Sequence, residues 1–519
     1  MTKKMLSLVL TILMVLSLAP MASLAQEDAY DLTIAVNRTL FDQTEVASEK
    51  AVWIAAEEMT GVKIKWIEIL EPDRGEKIPL LLSGGDLPDV FMMGLPDNII
   101  TENPELFVPI QDLIEENCPN IMQLYNEKIP DWRTYLTYPD GNIYGLMGGY
   151  YTSPLNQVGG TQWINVAWLD QLGMDVPTTL DEFYDVLVAF RDNDMDGDGD
   201  PTNEIPLEIC QNFYGSKVIA YASMWGLPLY ENTWYMIEDG EVVSAVDTPA
   251  FREFLEYFHM LGQEGLIDLE GFSMTNEQLN SNIASGKVGT LWHWEPTQAA
   301  WPANPEKWPD YQPMAPIAAE GYEAKVCGNP PISAARNNFV ITTACEDPAA
   351  ALRWYDAISE HDFSYFAARY KENHWWFFDD DGNMVGRQPS NEELAEWGFE
   401  PGIDIGTLMY GQYHPLVYAG LTGDLENQPE SYNARRFRSV LILKDYIAPT
   451  MTQQIMTAET NEELTFMTDG LNDYINGFIA SSILNGVTDA SWDEYVAGLE
   501  TYGYSFYIEW YNAKYHGAQ

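Results

Sequence analysis

The chain has 519 residues, 46% of them hydrophobic, with 79 acidic against 26 basic side chains and a formal net charge of −53. That charge repels nucleic acid, anionic membrane surfaces and polyanionic ligands, and the apolar content without a long polar tract excludes a disordered chain. The four cysteines, at 118, 210, 327 and 345, lack Cys-x-x-Cys spacing and histidine partners, which excludes a zinc site and a disulfide framework, although Cys327 and Cys345 could pair.

Lys3 and Lys4 precede an apolar run from Met5 to Ala19, and small residues stand at Ser23 and Ala25. This is the pattern of a secretory signal peptide over residues 1–25. The remaining 519 − 25 = 494 residues allow two large lobes, and loss of two lysines makes the formal charge 24 − 79 = −55. No cysteine stands near the end of the leader, so a lipid anchor is not expected, and no later apolar stretch is long enough to span a bilayer.

Pattern predicts a strand over 31–36, a helix over 46–59, a strand over 62–70, a helix before Ser83 and a strand over 88–93. Such alternation makes an α/β lobe with a largely parallel sheet. A second lobe is expected to begin after Gly148-Gly149-Tyr150-Tyr151, with helices over 163–172 and 179–191. The latter has Thr179 and Glu182 at capping-box spacing, with Phe183, Leu187 and Phe190 on one face. Helices over 251–261 and 276–284 and a strand over 287–292 follow, and Asp347-Pro348 opens a further helix as N-cap and first helical residue. Trp375 and Trp376 precede the turn Asp381-Gly382 and read as hairpin packing.

Directly after the capped helix, residues 192–204 read DNDMDGDGDPTNE. Carboxylates at alternate positions curl around a hard cation, glycine permits the sharp turn, and a later acid closes the oxygen cage, which predicts calcium. Counting from Asp194 puts Asp196 third, Asp198 fifth, Gly199 sixth and the Asp200 carbonyl seventh, with Glu204 eleventh and Ile205 in place of the usual closing Glu. Counting from Asp192 puts Gly197 sixth and Asn203 twelfth. The expected ligands are Asp194, Asp196, Asp198, Asp200 and Glu204, and their role is structural.

Several segments stand together in one order: 82–90 (LSGGDLPDV), 139–145 (PDGNIYG), 168–173 (WLDQLG), 177–183 (PTTLDEF), the acidic loop ending at Pro206, and 285–289 (SGKVG). With them the mature chain resembles the extracellular solute-binding proteins of family 1, the sugar-binding subunits of ABC importers. The resemblance implies a type II periplasmic-binding-protein fold: two α/β lobes with crossing hinge strands and a ligand cleft between them. It divides the chain into 26–149 (lobe 1), 150–287 (lobe 2), 288–344 (return to lobe 1) and 345–519 (lobe 2). It also implies no catalysis, a monomer, an oligosaccharide ligand, a membrane permease as partner and an extracellular or cell-envelope location.

Sugars offer hydroxyls that need paired donors and acceptors and C–H faces that lie on aromatic rings; 17 Trp and 30 Tyr are abundant for such work. By position the candidates are Trp292 and Trp294 after the returning strand, Tyr150 and Tyr151 at a crossing, Trp225 after a helix, Asp89 as a hydroxyl acceptor and Arg336 as a bidentate donor. A secreted glycoside hydrolase is the rival among enzymes, since 79 acids could supply a carboxylate pair, but no other catalytic motif accompanies it. A peptide- or other nutrient-binding protein of the same architecture is the second rival.

Overall fold

The computed structural model describes residues 32–38, 47–129, 131–150, 158–213, 216–296, 309–329, 334–400, 414–418, 421–451 and 455–517. The leader and Tyr151 lie outside them. The chain forms two compact units: residues 1–153, 332–421 and 455–461 make the first, and 154–331, 422–454 and 462–519 the second.

The first unit is built on a five-stranded sheet in the order Ile64–Leu70, Leu32–Arg38, Val90–Met92, Ala335–Ile341, Gly145–Gly148. The first three strands are parallel and Ala335–Ile341 runs antiparallel to both its neighbours. Both faces of the sheet are covered. Leu32, Ile34 and Val36 enter one apolar cluster and Ala35, Ile69 and Phe91 another, which is why Leu32–Val36 is apolar in nearly every position instead of alternating. Helix Pro348–Ile358 packs on helices Ala51–Thr60, Gln111–Asn117 and Pro119–Lys128. Asp347 caps that helix, its Oδ1 accepting from Ala350 N–H at 2.9 Å. A hairpin pairs Trp376–Phe378 with Met384–Gly386, with Trp376 against Tyr365.

The second unit has a four-stranded sheet in the order Tyr311–Pro313, Thr161–Asn165, Val288–His293, Ile205–Glu208. Helix Leu180–Asp192 covers it through Phe183, Val186, Leu187 and Phe190. Thr179 Oγ1 accepts from Glu182 N–H at 3.2 Å, but the Glu182 carboxylate reaches past the cap to Thr178 N–H at 2.8 Å. The amphipathic helix Pro249–Gln263 joins the same core, and so do the helices Ala458–Asn485, from Glu462 onward, Asp489–Thr501 and Tyr504–Gly517. Phe478 stacks flat on Tyr495 with ring centroids 3.8 Å apart.

Two expectations change. Residues 163–165 are strand, not helix: Trp163 and Ile164 pair with Leu291 and Thr290, and the helix starts only at Val166, where Asn165 Oδ1 accepts from Trp168 N–H at 3.2 Å. The chain also does not re-enter the first unit at residue 288. Val288–His293 is buried along its whole length and has ladder partners on both edges within the second unit. The return begins at residue 332 and extends to 421, so helix Pro348–Ile358 belongs to the first unit, not to a C-terminal part of the second that begins at 345. A Gly-Lys-Val-Gly run identifies a strand, not the sheet that receives it.

Candidate metal and ligand sites

Helix Leu180–Asp192 ends directly at the acidic loop. Gly197 at φ 76° and Gly199 at φ 93° turn the backbone through the left-handed region. Three carboxylates, those of Asp194, Asp196 and Asp198, each offer an oxygen within 4.8 Å of the others. Asp194 also accepts from Gly197 N–H at 2.8 Å and Gly199 N–H at 3.0 Å, which wraps the loop around its side chain. Asp200 stands apart from the group. Its carboxylate Oδ1 accepts from the Thr202 hydroxyl at 2.6 Å, and the group that the seventh position of such a loop supplies is its main-chain carbonyl. Glu204 Oε1 accepts from Met195 N–H at 2.7 Å while its Oε2, like Asn203 Oδ1, is buried without a partner. The donors are all oxygen, the set a hard cation prefers. Hydrogen bonding by Asn203 and the Asp200 N–H, with Lys287 nearby, holds the Asp198 carboxyl below its ordinary range.

In the same unit the strands Ile205–Glu208 and Val288–His293 run parallel, and their carboxyl ends are where sheets of this kind receive ligands. Trp294, the residue directly after that strand, is half-buried. Its Nε1 donates to Tyr432 Oη at 2.8 Å and the Arg436 guanidinium lies 3.6 Å from its ring centre, so the indole plane is fixed. Trp292 and Trp225 do not join it. Trp292 packs edge-on to Tyr221 at 5.7 Å, and Trp225 against Phe254, Tyr257 and Phe258, both inside the main core. Beneath Trp294, Arg435 and Glu295 form a fully buried ion pair at 2.9 Å. Arg435 also meets Glu430 at 3.0 Å and lies 5.1 Å from the Trp163 ring centre.

In the first unit, Asp89 precedes strand Val90–Met92 and its Oδ2 accepts from Thr33 N–H at 2.7 Å. It therefore ties the amino ends of two parallel strands, the rim opposite the one where a ligand is expected. Arg336 is ion-paired with Asp97 and its guanidinium sits 4.3 Å from the Tyr135 ring centre; this buried arginine braces the sheet. Tyr150 is half-buried, its hydroxyl accepting from Arg369 Nε at 2.9 Å and its ring edge-on to His414 at 4.7 Å.

Other groups are absent from the sequence reading. Asn37, near the carboxyl end of Leu32–Arg38, is buried with neither amide atom bonded. His414 Nδ1 donates to the Pro415 carbonyl at 2.7 Å, leaving a buried Nε2 lone pair without a partner, and burial lowers its pKa to about 4. Thr161 and His293, opposite one another across two strands, are likewise buried and incompletely bonded. The one signal in the sequence was a polar residue closing an apolar strand, as in Ala35-Val36-Asn37 and Thr290-Leu291-Trp292-His293. None of the four cysteines is joined in a disulfide, Cys327 and Cys345 included.

No protein-family profile matches the chain. Among curated proteins it is 26% identical over 488 residues to FusA, the fructooligosaccharide ABC transporter substrate-binding protein of Streptococcus pneumoniae serotype 4, a match that covers 89% of this chain and 86% of that one. Solved structures of S. pneumoniae FusA superpose with a TM-score of 0.76 at 23% identity and 94% coverage of this chain: one in complex with kestose, covered to 100%, and an EF-hand mutant in complex with fructo-nystose, covered to 99%. A solute-binding protein associated with a human-milk-oligosaccharide-binding ABC transporter of Bifidobacterium longum infantis gives the same TM-score of 0.76 at 20% identity, covering 94% of this chain and 99% of its own.

Proposed function

We propose, from its place among the extracellular solute-binding proteins of ABC importers, that this chain binds a neutral oligosaccharide and delivers it intact to a membrane permease. The observation that carries this reading is the end-to-end match with FusA, which spans both units and not one shared motif. No described helix is long and apolar enough to cross a membrane, in keeping with a partner that supplies the membrane passage. Trp294, held flat by Arg436 and Tyr432, is the aromatic platform this reading assigns to a sugar ring. Tyr150 with Arg369 is the polar group it assigns on the first unit. The monomeric state and export by the leader at 1–25 belong to the same proposal.

Calcium is part of it too. Asp194, Asp196 and Asp198, the Asp200 carbonyl and the unfilled oxygens of Glu204 and Asn203 would hold the ion; bound there, it supplies positive charge that pins the loop, and no chemistry. Thermal unfolding against neutral oligosaccharides, acidic oligosaccharides, amino acids and short peptides tests the function. A ligand at 100 times its dissociation constant adds about 2.7 kcal/mol, so one class raises Tm and the others leave it unchanged. Stabilisation by a neutral glycan recovered uncleaved is the expected result; stabilisation by peptides alone, or cleavage of the glycan, overturns it.

A further inference from the structure

The last rung of the ladder between Thr161–Asn165 and Val288–His293 carries two side chains with unfilled hydrogen-bonding capacity. Thr161 stands opposite His293, so both side chains leave the sheet on one face, with Cβ atoms about 4.5–5.5 Å apart. Thr161 is 0% and His293 4% exposed, and Thr161 Oγ1 and His293 Nε2 have no partner, a state that costs stability unless something completes it.

The proton on the imidazole is placed by its neighbours. Nδ1 accepts from Glu295 N–H at 3.0 Å, so the proton of the neutral ring sits on Nε2. Burial, with Arg436 nearby, depresses the pKa to about 3 and keeps the ring neutral. The Phe213 ring stacks on it at 5.1 Å with planes 27° apart, which fixes where Nε2–H points. His293 closes a strand parallel to Ile205–Glu208, at the carboxyl rim of the sheet. Gly160 keeps the approach to this rung tight: a Cβ there would meet Trp292 Nε1 at 2.8 Å and the His293 carbonyl at 3.1 Å.

We infer that Thr161 and His293 form a hydroxyl-recognition pair, in which Nε2–H donates to one hydroxyl oxygen of the bound oligosaccharide and that hydroxyl donates in turn to Thr161 Oγ1. The inference rests on the solute-binding reading and deepens it, because a hydroxyl both donates and accepts. An ammonium cannot accept from Nε2–H, and a carboxylate would bring a charge beside a neutral ring, where desolvation opposes it.

Thr161→Val is the test, since it exchanges the hydroxyl for a methyl of the same shape. A hydroxyl serving the fold would lower Tm on removal; this one makes no bond, so Tm holds or rises while affinity falls about tenfold. Titration calorimetry with kestose, nystose and maltotriose on the full chain reads the affinity. His293→Phe, which keeps the stacked ring, gives a similar loss, and the double variant loses no more than about the larger single one. In ¹⁵N-labelled wild type the His293 Nε2–H signal shifts and exchanges more slowly when sugar binds. Unchanged affinity in Thr161→Val for a sugar the wild type binds overturns the pair while sparing the solute-binding reading. Failure of the wild type to bind any of the three sugars counts against that reading and removes the pair with it.

Discussion

Trp225 and Trp294 belong to one unit and have opposite surroundings, and the contrast defines what each can do. Trp225 is wrapped by three aromatic rings, so Trp225→Ala leaves a core cavity and costs about 3–5 kcal/mol in urea unfolding, with sugar affinity per folded molecule unchanged. Trp294 is half-buried and held by a cation and a hydroxyl; Trp294→Ala lowers sugar affinity at least tenfold, with a smaller loss of stability. A variant pair behaving the other way round would reassign the platform. The sequence has the right residue types here without their environments, because periodicity places a tryptophan on a strand or helix and cannot say whether other rings will enclose it. Asp89 shows the same limit. Its position beside a strand was legible, but the end of the sheet it serves depends on Thr33, 56 positions away in the chain.

Glu208 is a second residue whose surroundings decide its chemistry. Burial, aided by Asp268 and Glu270, pushes its carboxyl up to about 8 against the hydrogen bond from Asn282. A raised carboxyl is neutral in the fold while the unfolded chain ionises near 4.5, so its contribution is fully present below about pH 4.5 and is lost as pH rises through about 8. Glu208→Gln, which cannot ionise, gains stability over the parent as pH increases, on the order of 3 kcal/mol at pH 7. Urea unfolding at pH 5, 6.5 and 8 reads the divergence; parallel curves for parent and variant would show that the group does not titrate in this range.

At the level of elements, the acidic loop was the most legible feature, since its spacing is local. Asp194, Asp196 and Asp198 converge as the alternation requires, whereas Asp200 turns its carboxylate to Thr202 because the intervening Pro201 and the turn bring that hydroxyl close. Extracellular loops of this kind bind calcium at roughly 10⁻⁴–10⁻³ M, so 1 mM calcium adds about 0.4–1.4 kcal/mol over chelator. Asp196→Asn removes one anionic ligand while retaining an oxygen for Asp198 N–H. The calcium-dependent rise in Tm then shrinks or vanishes, while a rise of the same size in the variant would place the ion elsewhere. Caps were legible for the same reason as the loop: Thr179 and Asp347 both accept from the first turn of their helices. The start of helix Val166–Leu172 was not, because Trp163 and Ile164 fit either period and are claimed as strand by partners at 290 and 291.

For the whole molecule, the alternation of strands and helices in the first 93 residues was enough to announce an α/β unit, and the order of short segments pointed to two lobes. The first change of unit was readable close to residues 148–151, but the later ones were not. The return depends on a choice of ladder partner, and Val288–His293 and Ala335–Ile341 are both largely buried strands sent to different sheets. The C-terminal helices carry so many exposed and buried aromatics that no single apolar face stands out, yet Tyr504 still donates to the Trp234 carbonyl at 2.7 Å and ties the end of the chain to its middle.

Ala335–Ile341 lies between Val90–Met92 and Gly145–Gly148 in the finished sheet. A nascent or truncated chain that stops short of Ile341 therefore lacks the strand that joins two pieces already synthesised, and both edges it should cover stay open. Neither unit is continuous in sequence, so no single cut separates two whole units. Completion of this sheet is therefore delayed until the chain has been made as far as Ile341, and until then its two pieces have no strand between them.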